Sequence, residues 1–509
     1  MNSTSGSLRI QGLLFAMVAM TLLVLHGNKV VFTQDEGIIL DTAQRVMAGQ
    51  RPYLDFFGYM SPGSYWLQVL IFKVFGVSLV AGRLLPILDW SVQCALVFRL
   101  VDQLGTRKSA FVTTGLFFAS KLCNAGTLTA QHRLDSGALA LGAICLAIDA
   151  RRSGSNWRWV LSGVLAGAAA LCTPSVALVV MATFLWLVFD DRHGRGWNLY
   201  LCGVAGIGLA AAAWLLHDGI LVAFVNQLMW LQKNYTAVNL MPYGSVIGGY
   251  QVIIRQGFVP STFAFFLAVP AILPFIVCIG LGIPLWKSKN ENRSTLLFLI
   301  VAMVAMVLTA FPRPDVEHLG YVTALPYALM GIWVARSWSR RLAAYFVTGF
   351  AVIPAAFLMN FSLGAMDVKK VGTPVGELRV GSEDGAGMEA LMQKVKPGQS
   401  LFVHPYMPVL YFLTQTENPT RFSYLAPGMM TSNEEQIAMA ELERRPPMQL
   451  MYLKWSREEF LRLCPGAGNL SEKFPRIEQW IDQNYTPVEP EIIVSGYKLL
   501  RRKEAPSGM

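Results

Sequence analysis

Carboxylates stand at the ends of long apolar segments in this sequence. Asp35 and Glu36 directly follow the first such segment, and Asp55 lies further along the same loop. A carboxylate at the headgroup level of a membrane could remove a proton from a hydroxyl group, provided that it is ionised. The alternative is that Asp35 caps a helix that begins near Gly37. The two roles can coexist, so Asp35 and Glu36 are candidates for a catalytic base.

Two later segments place a cation two residues before a carboxylate. Arg133 precedes Asp135, and Arg313 precedes Asp315, with His318 three residues further on. Ionisable groups at the mouths of membrane helices cost desolvation energy unless they are paired or hydrated. Such groups are therefore functional candidates. The alternatives are that Arg313 anchors its helix by reaching toward lipid headgroups and that His318 is an interfacial hydrogen-bonding residue.

The composition indicates that membrane-spanning helices carry these groups. Among the 509 residues, 54% are hydrophobic and 15% are charged, whereas soluble domains carry about 25% charged residues. The net charge is +10, but most lysines and arginines lie in short loops between apolar segments, where they orient helices. Nucleic acid is therefore not an expected partner.

The seven cysteines are scattered and lie mostly inside apolar segments. A thiol in such a segment behaves as a small hydrophobic group, and the spacing does not predict a disulfide framework. The His and Cys residues form no cluster with metal-ligand spacing in the sequence. We therefore predict neither a metal site nor a cofactor.

Eleven apolar segments predict a polytopic α-helical membrane protein. They are residues 10–32, 80–100, 109–123, 134–148, 159–171, 175–189, 199–215, 262–286, 295–311, 320–334 and 342–361. Thr173 and Pro174 interrupt a longer apolar stretch. This leaves open whether the stretch forms one kinked helix or two short helices joined by a turn.

The basic loop residues favour the turn. They form five clusters: Arg107 and Lys108; Arg151, Arg152 and Arg158; Arg192 and Arg195; Lys287, Lys289 and Arg293; Arg336, Arg340 and Arg341. All five fall on one side only if the chain turns at Pro174, and the positive-inside rule makes that side cytoplasmic. Eleven spans with a cytoplasmic N-terminus then place the C-terminus outside, and the candidate carboxylates and cations on the outer face.

The chain divides into two predicted domains. Residues 1–364 form the membrane domain, whose first outer loop, residues 33–79, contains interfacial helices. Beyond about residue 365, charged residues and prolines become more frequent and long apolar segments end. Strands at 400–403, 449–453 and 492–500 and helices at 388–394, 434–444 and 477–483 predict a small α/β domain outside the cytoplasm, at residues 365–509.

Several motifs resemble those of the GT-C superfamily of membrane glycosyltransferases. The resemblance is to the branch that contains the dolichyl-phosphate-mannose protein mannosyltransferases and the bacterial aminoarabinose transferase of lipid A. The motifs are Asp35-Glu36 after the first helix, Gly49-x-x-Pro52-Tyr53-x-Asp55-Phe56, Pro62 with Tyr65-Trp66, His132-Arg133-Leu134-Asp135, and Arg313-Pro314-Asp315-x-x-His318-Leu319.

This resemblance implies a function and roles for individual residues. The implied donor is a polyprenyl phosphate that carries one sugar, a hexose or a pentose, and the transfer usually inverts the anomeric carbon. Asp35 becomes the candidate base, and Arg133, Arg313 and His318 become candidates to hold the donor phosphate, with Asp55, Asp135 and Asp315 beside them. Relatives often carry a lysine where this chain has Cys172-Thr173-Pro174, so one expected cation is missing.

The implied location is the inner (plasma) membrane of a bacterium, with the C-terminal domain in the periplasm or outside the cell. The acceptor stays open among a glycolipid, a polysaccharide and a protein. Two other classes of protein are considered. A lipid or sugar transporter, or flippase, usually carries charges near the middle of the membrane and shows repeat symmetry. A binding or scaffold protein would explain the C-terminal domain but not the Asp35 loop.

Overall fold

The computed structural model describes residues 2–58, 60–122, 128–190, 194–246, 249–250, 255, 258–287, 292–337, 339 and 368–504. Its N-terminal part is helical. The helices are α1 (Asn2–His26), α2 (Gln34–Met47), α3 (Pro62–Phe75), α4 (Leu79–Leu104), α5 (Arg107–Leu122), α6 (His132–Ser153), α7 (Asn156–Cys172), α8 (Ala177–Asp190), α9 (Gly196–His217), α10 (Leu221–Asn239), α11 (Phe258–Val277), α12 (Ile283–Lys287), α13 (Arg293–Leu308), α14 (Val316–Tyr321) and α15 (Ala324–Ser337).

Four stretches of helix among the described residues are long and apolar enough to cross a membrane. They are Gly6–His26, Leu79–Leu104, Gly196–His217 and Ala268–Leu285, and shorter apolar helices lie at Pro174–Asp190 and Arg293–Leu308. The segment predicted at 342–361 lies outside the described residues. The count of eleven spans therefore stays a prediction.

The first helix ends earlier than predicted. The apolar segment was expected to be helical from residue 10 to 32, but α1 ends at His26. Beyond it the backbone pairs with the C-terminal domain: the Val30 amide donates to the Arg379 carbonyl over 2.8 Å, and the Arg379 amide donates to the Asn28 carbonyl over 2.8 Å. Pairing with a strand requires extended backbone, and this explains why the helix stops early.

The chain reverses direction at Pro174, so the interpretation as one kinked helix is wrong. Thr173 has an extended backbone (φ −140°, ψ 104°), and its hydroxyl lies 2.8 Å from Nδ1 of His132 at the start of α6. At the far end of α8, Asp190 forms an ion pair of 2.5 Å with Arg151, near the end of α6. Helices α7 and α8 therefore run in opposite directions beside α6.

Basic loop residues gather at one end of the helix bundle. Arg336 donates to the Leu104 carbonyl over 2.9 Å, and Arg152 donates to the Gln103 side chain over 3.3 Å. These contacts, together with the pair of Arg151 and Asp190, place the ends of α4, α6, α8 and α15 side by side. We call this the basic end, and its cytoplasmic location stays a prediction.

The C-terminal part is an α/β domain. It contains β1 (Val368–Thr373), β2 (Gly376–Gly381), α16 (Ser382–Lys394), β3 (Leu401–His404), α17 (Val409–Thr414), α18 (Ser432–Arg444), β4 (Gln449–Tyr452), α19 (Arg457–Leu463), α20 (Pro475–Asn484), β5 (Tyr485–Pro487), β6 (Ile493–Val494) and β7 (Tyr497–Arg502). Strands β1 and β2 form an antiparallel pair, and a second sheet has the order β3-β4-β7-β5, with β6 paired to β7. Strand β3 is parallel to β4, whereas β4 and β5 are antiparallel to β7.

The strand predicted at 492–500 is in fact a hairpin. Its two arms are β6 and β7, which pair antiparallel. The turn between them contains Ser495 and Gly496, whose φ angles are 49° and 81°. A tight hairpin turn needs positive φ at its central residues, and glycine adopts it without strain. The predicted strands at 400–403 and 449–453 are present as β3 and β4.

Helix α2 lies between the helix bundle and the C-terminal domain. A Cβ on Gly37 would lie 2.0 Å from the Val409 amide nitrogen of α17, so only glycine permits this approach. On another side of the helix, Leu40 packs against Gly82 of α4. Residues of α2 expected to lie in the membrane interface are therefore covered by protein. The predicted boundary between residues 364 and 365 lies outside the described residues.

Candidate active site

Asp35 is held at the start of α2. The helix begins at Gln34 after an extended Thr33, so Asp35 lies within the first turn and does not cap the helix. The alternative that Asp35 is an N-cap is therefore wrong. Gln131, which directly precedes α6, donates from Nε2 to Oδ2 of Asp35 over 2.6 Å. This hydrogen bond fixes the orientation of the carboxylate.

Arg133 follows within the first turn of α6. Its side chain donates from Nη1 to the Thr309 carbonyl over 2.6 Å, just after the end of α13. The residue is only 9% exposed. The guanidinium group is therefore held in place, and it keeps further N–H groups that can donate to a ligand.

Arg313, Asp315 and His318 form a compact charged cluster. Asp315 caps α14 by accepting the His318 amide over 2.9 Å, and its Oδ1 lies 2.7 Å from Nδ1 of the same histidine. Arg313 donates from Nε to Oδ2 of Asp315 over 2.9 Å and from Nη1 to Asn239 over 2.7 Å. Burial favours the neutral acid, but His318 and Arg313 outweigh it and hold the pKa of Asp315 below its usual range. Asp315 is thus an ionised group that orients two neighbours.

The groups around Asp35 and Arg313 enclose one cavity of about 210 Å³, whose wall does not include Asp315. Asp35, Arg133, Arg313 and His318 are all in its wall. The start of α2, the start of α6 and the turn before α14 therefore meet at one cavity. Whether the cavity opens toward the outer leaflet stays a prediction.

Glu36 is placed away from the cavity, although it is adjacent to Asp35. It lies in a fully buried ion pair with Arg83 of α4, in which Nη2 of Arg83 donates to Oε2 over 2.8 Å. Burial raises the pKa of Glu36, and Arg83 opposes that shift. Consecutive helical residues point about 100° apart. The same turn of α2 therefore directs Asp35 to the cavity and Glu36 into the core.

Asp55 and Asp135 also lie outside the cavity wall. Asp55 forms an exposed ion pair of 3.1 Å with Arg51, whose hydrogen bond lowers the pKa of the carboxyl. Asp135 is 1% exposed and faces Asp89 of α4 inside the bundle. Residues two apart on a helix point about 200° apart, so Asp135 faces away from the cavity that Arg133 faces.

The cavity contains groups that were not among the predicted site residues. From the membrane domain these are Gln131, His132, Tyr235, Asn239, Glu317 and Tyr321, and from the C-terminal domain Tyr406, Tyr424 and Cys464. Burial, with the charges of Asp315 and Asp35, raises the pKa of Glu317 to about 7. Glu317 lies beside His318 in a motif that the sequence singled out, and that position was a usable signal.

Among the described residues, no group of three or more His, Cys, Asp or Glu side chains is placed to hold a metal ion. The cavity instead combines one oriented carboxylate with two arginines and a histidine. Such a set can accept a proton at one point and bind an anion at another. Catalysis without a metal stays a prediction.

The comparison with known proteins gives a partial match to one family and full-length matches to solved structures. The family model for dolichyl-phosphate-mannose-protein mannosyltransferases matches residues 60–217. No curated protein sequence matches the chain. The structure of ArnT from Cupriavidus metallidurans bound to undecaprenyl phosphate is 14% identical, with a TM-score of 0.55, over 98% of this chain and 99% of ArnT. The chain has the GT-C glycosyltransferase fold.

Two further structures agree with the GT-C fold. ArnT in the apo state is 13% identical, with a TM-score of 0.57, over 96% of this chain and 97% of ArnT. The archaeal oligosaccharyltransferase AglB from Archaeoglobus fulgidus, in complex with an inhibitory peptide and a dolichol-phosphate, is 9% identical, with a TM-score of 0.54, over 97% of this chain and 74% of AglB. The resemblance inferred from the sequence motifs is therefore confirmed at the level of the fold.

Proposed function

We propose that this protein is a glycosyltransferase that moves one sugar from a polyprenyl phosphate to a hydroxyl-bearing acceptor. One observation carries the proposal: on a GT-C fold, a single cavity combines Asp35 with Arg133, Arg313 and His318. The transfer needs a base for the acceptor and cations for the leaving phosphate. The cavity wall supplies both.

The proposed reaction begins with the acceptor hydroxyl beside Asp35. The carboxylate takes the hydroxyl proton, and the acceptor oxygen forms a bond to the anomeric carbon of the sugar. The bond from that carbon to the phosphate oxygen breaks, and its electron pair stays on the phosphate. Attack from the side opposite the leaving group inverts the anomeric carbon. The base needs a fixed orientation for this step, which Gln131 supports by its hydrogen bond.

Arg133, Arg313 and His318 are proposed to bind the phosphate as it leaves. Arg313 is held by Asp315 and Asn239 before any ligand arrives, so its charge needs little reorganisation during the reaction. A polyprenyl phosphate is the proposed donor because ArnT is bound to undecaprenyl phosphate and AglB to a dolichol-phosphate. The proposed site is the outer face of a bacterial inner membrane.

A lipid flippase is the competing function, and a cleavage assay separates the two. The purified protein is reconstituted into liposomes with undecaprenyl phosphates that each carry one radiolabelled sugar. A cell-envelope extract serves as the acceptor source, and protein-free liposomes serve as the control. The proposal predicts that undecaprenyl phosphate is released and that label moves to the acceptor. Movement of intact lipid between leaflets, without any cleavage, would instead favour the flippase.

A further inference from the structure

Glu317 is a cavity carboxyl group that has no hydrogen-bond or ion-pair partner among the described residues. It lies in the first turn of α14, directly before His318, and lines the same cavity as Asp35. Asp315 is bound by Arg313 and His318. In contrast, no described residue gives the Glu317 carboxyl a hydrogen bond or an ion pair. Glu317 and Asp315 therefore have different environments, although they are two positions apart in the sequence.

An unpartnered carboxyl group in a largely closed cavity is costly. Burial is the main cause that raises the pKa of Glu317 to about 7, with Asp315 and Asp35 adding repulsion and Arg313 opposing it. The group therefore needs hydrogen-bond donors that the wall does not supply. Water or the hydroxyl groups of a ligand can supply them.

The position of Glu317 indicates which part of a ligand it meets. Glu317 lines the same cavity as Asp35 and Arg313, so it lies near the proposed base and a proposed phosphate-binding group. In the proposed reaction the sugar must lie between the attacking oxygen and the leaving phosphate. A carboxylate would repel the phosphate, so Glu317 is not expected to bind it. Glu317 also lacks an orienting hydrogen bond like the one that Gln131 donates to Asp35, so it is not expected to act as the base. The sugar is therefore the part of the donor lipid that Glu317 is expected to contact.

We propose that Glu317 is a sugar-binding residue that accepts hydrogen bonds from hydroxyl groups of the sugar on the donor lipid. This inference rests on the proposed glycosyltransferase function. It assigns a sugar subsite to the first turn of α14, between Asp35 and the cluster of Arg313 and His318. Glu317 would then contribute to the choice of donor, because its hydrogen bonds depend on which hydroxyl groups the sugar presents.

Binding to two kinds of lipid, one without a sugar and one with a sugar, tests this assignment without requiring turnover. The probes are undecaprenyl phosphate alone and undecaprenyl phosphates that carry glucose, mannose, galactose or arabinose. The full-length variants are Glu317→Gln and Glu317→Ala, with Glu491→Gln as a matched control, because Glu491 lies in an exposed pair with Lys498. We expect the wild type to bind at least one sugar-bearing lipid more tightly than the bare lipid. Both Glu317 variants should weaken that binding about tenfold, the scale of a hydrogen bond to a charged group.

The bare lipid separates the possible outcomes. Its affinity should not fall in either Glu317 variant, because the removal of a negative charge does not disfavour an anionic phosphate, and retained binding also reports that the variants are folded. Equal weakening for both lipids, or no weakening for either, would overturn the assignment. So would a wild type that binds no sugar-bearing lipid more tightly than the bare one. Selective binding that depends on Glu317, but without sugar transfer by the wild type, would contradict the proposed function and not the sugar contact.

Discussion

Gln131 donates a hydrogen bond from its Nε2 to Oδ2 of Asp35, over 2.6 Å. The bond joins the residue before α6 to the first turn of α2, two elements that are about a hundred residues apart in the chain. Among the described residues, none donates a hydrogen bond to the other carboxylate oxygen, which can therefore face an acceptor. Arg133, two residues after Gln131, lines the same cavity, so the start of α6 contacts the proposed base and presents a proposed phosphate ligand.

The first prediction concerns this hydrogen bond. Gln131→Ala should lower the turnover number roughly tenfold, because a hydrogen bond to a charged group is lost and the base is less well oriented. The affinity for undecaprenyl phosphate should change little. Steady-state transfer kinetics and lipid binding measure the two quantities. Gln449→Ala, which removes an exposed hydrogen bond to the Lys394 carbonyl in the C-terminal domain, is the control. Wild-type turnover in Gln131→Ala would contradict an orienting role.

The second prediction concerns the proposed phosphate ligand. Arg313→Ala should weaken the binding of undecaprenyl phosphate by about 1–3 kcal/mol, the scale for a hydrogen bond with a charged group. Arg313→Lys should recover part of this loss, because lysine keeps the charge but not the planar pair of donors. Titration of the lipid in detergent measures both.

Arg51→Ala is the matched control for Arg313, because Arg51 is exposed and its side chain pairs with Asp55. Its lipid affinity should stay at the wild-type value. An Arg313→Ala protein that binds the lipid as tightly as wild type would support the alternative of a headgroup anchor.

The third prediction concerns the structural role of the buried ion pair between Glu36 and Arg83. Arg83→Ala leaves the Glu36 carboxylate buried without its partner, and the loss of one member of a buried pair costs about 3–5 kcal/mol. The protein should show a lower apparent melting temperature in detergent and a lower yield. Asp55→Asn should cost less than about 1 kcal/mol, because the pair of Asp55 with Arg51 is exposed. Equal stability of the two variants would contradict a structural role for the buried pair.

The fourth prediction concerns orientation in the membrane. Single cysteines at Arg152 and Arg195, near the basic end, should react with an impermeant thiol reagent only after the cells are permeabilised. A cysteine at Asn469, an exposed residue of the C-terminal domain, should react in intact cells. The unsubstituted protein gives the background from the native cysteines. Reaction at position 195 but not at 469 in intact cells would reverse the proposed topology.

The sequence predicted the parts of the site that depend on where helices begin. Hydropathy places Asp35, Arg133 and Arg313 at the ends of apolar segments, and the cavity wall contains all three. Which residues are buried at those helix ends, and against which partners, depends on contacts between residues far apart in the chain. Glu36 is directed to Arg83, and neither residue type nor spacing in the sequence indicates that pair.

The contribution of the C-terminal domain could not be predicted from local patterns. Tyr406 and Tyr424 reach the cavity because α17 packs closely on α2 at Gly37, and that docking joins residues far apart in the chain. The direction of the Asp135 side chain, in contrast, could have been predicted from the sequence. Its two-residue separation from Arg133 on one helix already implies opposite directions for the two side chains.

The catalytic role of Asp35 is tested most directly by Asp35→Asn, with turnover and lipid affinity measured on the same preparation. Asparagine keeps the size of the side chain and removes the basic carboxylate. We expect turnover to fall by roughly 10² or more, the usual scale for an acid–base group, while the affinity for undecaprenyl phosphate stays within about twofold of wild type. Near-normal turnover in a folded Asp35→Asn protein would contradict the proposal that Asp35 is the base.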